Sequence, residues 1–414
     1  MLPSGIREPF TIGLTWVTAF SVVASLYAPA VLGASSRATT PVLAMVIATG
    51  LILLAITEFP RLPVSLTLTP TRWLSAVCLA LAMLGFILSS VAGRFDREYS
   101  FNDWGLLALQ SGAPLLILFN NRRLQLLDAL GSVCVGFATF DTAANLWAAV
   151  QGSWERDPGI SGNTHAAGLV AFIAVAFLAA RAKGWWRWPL IALLMGSLCL
   201  IDARRYLGMA IVAVALLTLR PLVKLPLVVV AITAAAVGLI GTFSTGLLSF
   251  GDELRGNLIQ RGLSDALAHP VLGAGPEWRD TSGLEATYQS LSGAGVTESG
   301  MLDLSIAYGL PAAFLLALSA LLALSASRPR LTLAPVMLAM LTAELAFGDS
   351  LTGFLGAVVF YTVLTVSQRD EGLGTYGALA RRGPTLTASA YAPRASVDRS
   401  PSFPPHFGGG RKKE

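Results

Sequence analysis

The sequence predicts an all-α polytopic integral membrane protein with about twelve transmembrane helices and one long extramembrane loop. Three observations predict it. Of 414 residues, 54% are hydrophobic and only 13% are charged, about half the roughly 25% charge of soluble domains. The apolar residues come in continuous runs rather than in alternation, and continuous runs satisfy their backbone inside a membrane as helices. Finally, Lys and Arg gather between alternate runs, as expected of cytoplasmic connections. With a mean hydropathy of +0.65, the chain is excluded as a soluble globular enzyme, a disordered chain or a disulfide scaffold. A pI near 9.3 and a net charge of +5 would suggest nucleic acid for a soluble protein. Here they go with membrane orientation, and no nucleic-acid partner is expected.

About 20 apolar residues cross a bilayer as a helix. The candidate runs are 10–33, 41–58, 73–92, 104–119, 124–150, 164–182, 188–203, 205–220, 225–246, 300–326, 331–348 and 351–367. The first follows Arg7 and is long enough to span, so it reads as a retained helix and not a cleavable signal. With both termini cytoplasmic, the inner connections hold Arg7, Arg61, Arg72, Arg122, Arg123, Arg181, Lys183, Arg187, Arg220, Lys224, Arg328 and Arg330. The tail from Arg369 to Lys413 brings the inner total to 20 of the 29 basic residues. That bias sets both the count and the direction. Trp185, Trp186 and Trp188 read as an inner aromatic belt.

Residues 1–367 thus form the transmembrane domain, and 247–299 form a large outer loop within it. Within that loop, 253–268 places Leu254, Leu258, Ile259, Leu263, Ala266 and Leu267 at near-helical spacing. This predicts an amphipathic helix near the outer membrane surface. Residues 368–414 are rich in Pro, Ser, Gly and Arg, and read as a disordered cytoplasmic tail. Cys78, Cys134 and Cys199 lie inside apolar runs without metal-ligand spacing and read as small core residues.

Candidate chemistry gathers on the outer side, against the charge bias. Arg204 and Arg205 sit between two apolar runs with Asp202 beside them. An arginine at the centre of a membrane helix costs roughly 2.5–3.5 kcal/mol. One reading is an Asp–Arg pair capping a turn; the other is a cation for an anionic lipid-linked group, since guanidinium binds phosphate in bidentate fashion. Arg255 and Arg261 follow in the outer loop, then HPVLGAGPEW from His269 to Trp278, where Gly273 and Gly275 mark a tight turn that lets backbone approach a ligand. Glu298 and Asp303 lie at the edge of the tenth run. Glu298 fits either a first-turn carboxylate favoured by the helix dipole or a functional acid. His165 fits a helix-start cap or a phosphate or sugar contact, and His269 a turn. Asp141, inside the fifth run, points to function or to a partner such as Asn145 or an arginine of another helix.

The order of these features resembles the O-antigen ligase/polymerase family, membrane glycosyltransferases that process undecaprenyl-pyrophosphate-linked glycans. Residues 161–168, SGNTHAAG, resemble the family's glycine–asparagine–x–asparagine segment, with His165 in place of the second asparagine. Residues 202–208, DARRYLG, resemble its serine–arginine–glycine segment, with Arg204 or Arg205 as the family arginine. Residues 255–275 match the stretch that begins with arginine and ends His-Pro-x-x-Gly-x-Gly, which places Arg255 at the family arginine. Glu298 precedes Gly309 by the family's spacing. Ligases carry histidine then asparagine there, whereas this chain has Glu298 and Ser299, and that favours a polymerase.

The resemblance implies a GT-C-like, inverting, metal-independent polymerase of lipid-linked repeat units in the bacterial inner membrane, working at the periplasmic face. Glu298, Arg255, Arg205 and Arg204 would be catalytic; Asn163, His165, Arg261, Gly273 and Gly275 would bind substrate. No metal or cofactor is expected: the first outer loop, 34–40, has no carboxylate to hold a metal. Partners would be the undecaprenyl-pyrophosphate-linked donor and acceptor glycans, membrane lipids, and a chain-length regulator or flippase. Alternatives are a ligase transferring glycan to lipid A core or protein, and, from another class, a transporter or flippase of lipid-linked glycans. A transporter usually shows paired broken helices in two halves, whereas here the polar residues concentrate in one loop and the adjoining helix ends.

Overall fold

A computed structural model describes residues 4–32, 36–58, 69–93, 112–119, 122–152, 160, 164–201, 203–219, 226–243, 253–275, 299–327, 331–348 and 354–369. Among these every regular element is helical. In chain order they are α1 (Ser4–Leu32), α2 (Ser36–Glu58), α3 (Pro70–Gly93), α4 (Ala113–Phe119), α5 (Arg123–Val150), α6 (Thr164–Arg181) and α7 (Arg187–Leu200). There follow α8 (Arg204–Thr218), α9 (Leu227–Phe243), α10 (Glu253–Ala268), α11 (Gly300–Tyr308), α12 (Leu310–Ala326), α13 (Leu333–Glu344) and α14 (Phe354–Arg369). The tail, expected to be disordered from 368, lies outside the described residues from 370 on, and Gln368 and Arg369 instead belong to α14; half of the fourth predicted run, 104–111, also lies outside them.

Four stretches are long and apolar enough to cross a membrane: Glu8–Tyr27 in α1, Pro70–Ala92 in α3, Arg123–Val150 and Thr164–Arg181. Shorter apolar helices pack among them, including Leu310–Ala326 and Leu333–Glu344. The chain is therefore a helical membrane protein. Its burial pattern agrees. In α13 and α14 nearly every described side chain is buried, as for helices apolar all round at the centre of a bundle. By contrast, α1 turns Trp16, Val17 and Phe20 outward, and α3 turns Leu74, Leu81, Leu84 and Leu88 outward. Faces this apolar are stable beside lipid and not beside water.

Lipid provides no hydrophobic force between helices, so close packing of small residues and buried hydrogen bonds must hold the bundle. The seam between α3 and α12 shows this. On α3, Ser75, Cys78, Ala82, Gly85 and Ser89 recur at alternating three- and four-residue steps, and Ala312, Leu316, Ser319 and Ala323 answer on α12. A Cβ on Gly85 would lie 2.8 Å from that of Ala312. Lower on the seam, Ser75 Oγ donates to the Ser319 carbonyl at 2.7 Å, and Ser319 Oγ donates to the Ser75 carbonyl at 2.8 Å. Gln368 of α14 donates to Ser75 Oγ at 2.9 Å. Arg72 donates to the Ala326 carbonyl at 3.2 Å, satisfying the end of α12.

Three expectations are corrected here. The tenth run, 300–326, is not one helix but two, broken at Gly309. Cys199 is exposed on α7, while Cys78 and Cys134 are buried. Asp141 is not hydrogen-bonded to Asn145: its carboxylate accepts from the Tyr27 hydroxyl at 3.1 Å and from the Ile160 amide at 2.8 Å. That carboxylate ties α1 and α5 to the segment that leads into α6. The amphipathic helix forms over Glu253–Ala268 as predicted, but its apolar residues divide. Leu258, Ile259 and Ala266 are buried, while Leu263 and Leu267 face outward.

The seam makes a prediction. Gly85→Leu overpacks α3 against α12 and destabilises the bundle by about 1–3 kcal/mol, read as a lower thermal unfolding midpoint in detergent. Gly136→Leu, where an added Cβ meets nothing within 4 Å, does not lower it. Equal midpoints for the two variants would contradict the packing assigned to the seam.

Candidate functional site

The site assembles where helix ends meet. The chain enters α8 directly on Arg204 and Arg205, because Ala203 is its N-cap. Arg205 turns inward, with 8% of its side chain exposed. Its Nη1 lies 3.9 Å from Glu344 Oε1, whose side chain is 1% exposed at the C-terminus of α13. Nη2 lies 2.8 Å from His165 Nδ1, in the first turn of α6, and donates to the Tyr206 hydroxyl at 3.3 Å. The guanidinium also sits 4.9 Å from the centre of the Tyr206 ring, within cation–π range. Gly168 lets that ring approach α6, since a Cβ there would collide with it. Arg204, on the next position, is exposed. The N-termini of α6 and α8 thus share one locus, and their dipoles favour an anion there.

The same end of α13 receives α11. The Gly300 amide donates to the Gly348 carbonyl at 2.5 Å and the Met301 amide to the Leu345 carbonyl at 2.9 Å. The orphan amides of one helix therefore satisfy the orphan carbonyls of another. Gly348 is needed beside the ion pair: a Cβ there would collide with Glu344 Oε1 and lie 2.8 Å from Arg205 Nη1.

At the other end of α11, Pro311 has no amide to donate to Ala307, four residues back, so the helix breaks. Gly309 takes φ 89° at the break, a region that favours glycine. The turn at 269–275 accepts and supplies the freed bonds. Ala274 donates to the Ile306 carbonyl at 2.6 Å, Gly275 to the Ala307 carbonyl at 3.0 Å, and Leu310 to the Pro270 carbonyl at 2.9 Å. Ser89 Oγ of α3 donates to the Leu272 carbonyl and, at 3.0 Å, to that of Ala307. Gly273, at φ 73°, would clash with Ala307 if it carried a Cβ. The His-Pro-x-x-Gly-x-Gly turn therefore docks α10 onto the broken helix. The close backbone approach expected of Gly273 and Gly275 is made to protein, and their amides are not aimed at a ligand: Gly275 N–H is spent on Ala307 and Gly273 N–H on the His269 carbonyl.

Beside the arginines opens a cleft of about 420 Å³. Arg204, Arg205 and Gly208 line one part of it; Met209, Val212, Val229, Val237, Met340 and Phe347 make apolar walls from α8, α9, α13 and the turn that follows. Phe347 packs directly on Gly238, leaving no room for a Cβ there. An apolar cleft that also presents guanidinium groups fits a ligand with an apolar part and an anionic head.

The structure thus brings together His165, Arg204 and Arg205 of the predicted residues. Arg261 is apart from them among its described contacts: it is half-exposed and pairs with Asp265 at 3.5 Å, one turn along α10. Arg255 lies in the first turn of α10. Glu298 and Asn163 lie outside the described residues, as does Asp202, the expected partner of Arg204 or Arg205. Glu344 and Gly348 were not singled out in the sequence, although an acid inside an apolar run is itself a signal.

The docked turn yields a prediction. Gly309→Ala places a side chain at positive φ, which costs roughly 1–2 kcal/mol, and pushes it onto the Val271 carbonyl. Hydrogen exchange at the Ala274, Gly275 and Leu310 amides should then accelerate at least tenfold over wild type. Unchanged protection there would show that the turn is not held by the break. No family model matches this chain, and no curated protein matches its sequence.

Proposed function

We propose that this protein is a metal-independent glycosyltransferase that polymerises undecaprenyl-pyrophosphate-linked repeat units. The observation that carries the proposal is the cleft between α8, α9 and α13, which is lined by apolar side chains together with Arg204 and Arg205. A polyisoprenyl diphosphate has that division of character, with a tail that favours apolar walls and a head that favours guanidinium. The sequence motifs of the ligase/polymerase resemblance supply the reaction class. In this reading twelve spans alternate from a cytoplasmic N-terminus, residues 247–299 form the outer loop, and the cleft opens at the periplasmic face of the inner membrane.

The reaction is a displacement. An acceptor sugar hydroxyl attacks the anomeric carbon of the donor chain, the anomeric C–O bond to the diphosphate breaks, and undecaprenyl pyrophosphate departs. A single displacement inverts the anomeric configuration. Glu298 takes the hydroxyl proton as general base. Arg204, with Arg255 from α10, neutralises charge on the leaving diphosphate, an electrostatic contribution that grows as water is excluded. Arg261 and Asn163 contact the glycan. In this reading the tail beyond α14 is cytoplasmic, and a chain-length regulator or flippase would be met there.

Reconstitution tests this reading. Purified protein is mixed with a lipid-pyrophosphate-linked repeat unit and a chelator, and the products are resolved by size. A ladder of longer lipid-linked glycans is expected, and Arg204→Ala and Glu298→Ala should lower its rate at least a hundredfold, about 2.7 kcal/mol of transition-state stabilisation. Transfer only after lipid A core is added would make the protein a ligase. Movement of lipid-linked glycan across the bilayer with no transfer to any acceptor would make it a transporter.

A further inference from the structure

Arg205 Nη2 and His165 Nδ1 are 2.8 Å apart. A guanidinium is always charged and carries donors only. Nδ1 must therefore accept, and an imidazole that accepts at Nδ1 carries its proton on Nε2. The arginine can impose this because it is itself held. Its other arm faces Glu344 at 3.9 Å, and its plane rests against Tyr206. Gly348 and Gly168 leave the space that both contacts need.

We infer that Glu344 and Arg205 are positioning residues that fix His165 in its Nε2–H tautomer, which makes His165 an N–H donor at Nε2 and not a proton acceptor. The two adjacent arginines then have different tasks. Arg205 is committed to histidine, tyrosine and carboxylate, whereas Arg204 lines the cleft as an exposed side chain. That His165 donates to a phosphate or sugar oxygen rests on the glycosyltransferase reading; its tautomer does not.

The chain has three histidines, so the tautomer can be read directly. Full-length protein is labelled with 15N-histidine in lipid nanodiscs, and His165 is assigned by the signals lost in His165→Asn. Wild type should show an unprotonated Nδ1 and a protonated Nε2. Arg205→Gln and Glu344→Gln should each reduce that bias at least tenfold, and Glu344→Asp, which keeps the charge, should restore it. A wild-type His165 protonated at Nδ1 overturns the inference without recourse to any variant. A bias unchanged in Arg205→Gln, or in Glu344→Gln, overturns the positioning role. The two readings fail separately: a wild-type Nε2–H tautomer in protein that elongates no glycan sinks the polymerase alone, and glycan elongation by protein with Nδ1–H sinks this inference alone.

Discussion

A guanidinium cannot shed its charge, and Arg205 carries one where little of its side chain reaches the surface. Such a charge must be matched within the protein. Glu344 does so from α13, His165 from α6 and Tyr206 from α8 itself. Those three helices are therefore fixed at one point, and α11 joins them by donating its first amides to the end of α13. Charge matching at one residue organises four helix ends. It also leaves Arg204, the neighbouring cation, at the edge of an apolar cleft.

A second constraint acts further along α11. Pro311 removes one amide from the helix, and inside a membrane bundle the carbonyl it frees must find another donor. The turn at 269–275 and Ser89 provide donors. The consequence is mechanical. Helix α10, which bears Arg255 and Arg261, is bonded through this turn to α11, whose other end lies beside the Arg205 cluster. The arginines of α10 and the buried arginine are thus connected through backbone, which side-chain substitution cannot readily loosen. The seam between α3 and α12 joins the same assembly, because Ser89 belongs to both.

Much of this was legible in the sequence, for physical reasons. Apolar runs located the helices because lipid selects on hydropathy alone. The helix at 253–268 was legible because its Leu and Ile residues repeat at helical spacing. The break at Gly309 was missed: hydropathy does not register a lost amide, although Gly-Leu-Pro at 309–311 was the signal. Arg204 and Arg205 stood out because charge is rare in such a chain, and Glu344 carried the same signal inside the eleventh run. Their division of labour was not legible, since it depends on which side chain turns inward at the first turn of α8. The roles of Gly273 and Gly275 were half legible. A tight turn was expected and both glycines take positive φ, but the approach was expected to be to a ligand, and the backbone the turn meets is that of Ala307.

A double-mutant cycle on Arg205 and Glu344, read by equilibrium unfolding in detergent, tests whether this charge pair holds the helix ends. Removing one partner of a buried pair leaves the other charge uncompensated, at a cost of about 3–5 kcal/mol. Arg205→Gln and Glu344→Gln should therefore each be strongly destabilising, and the double variant should be more stable than either single variant. Two small effects that simply add would contradict the account, because the helix ends would then be held together by something other than this charge.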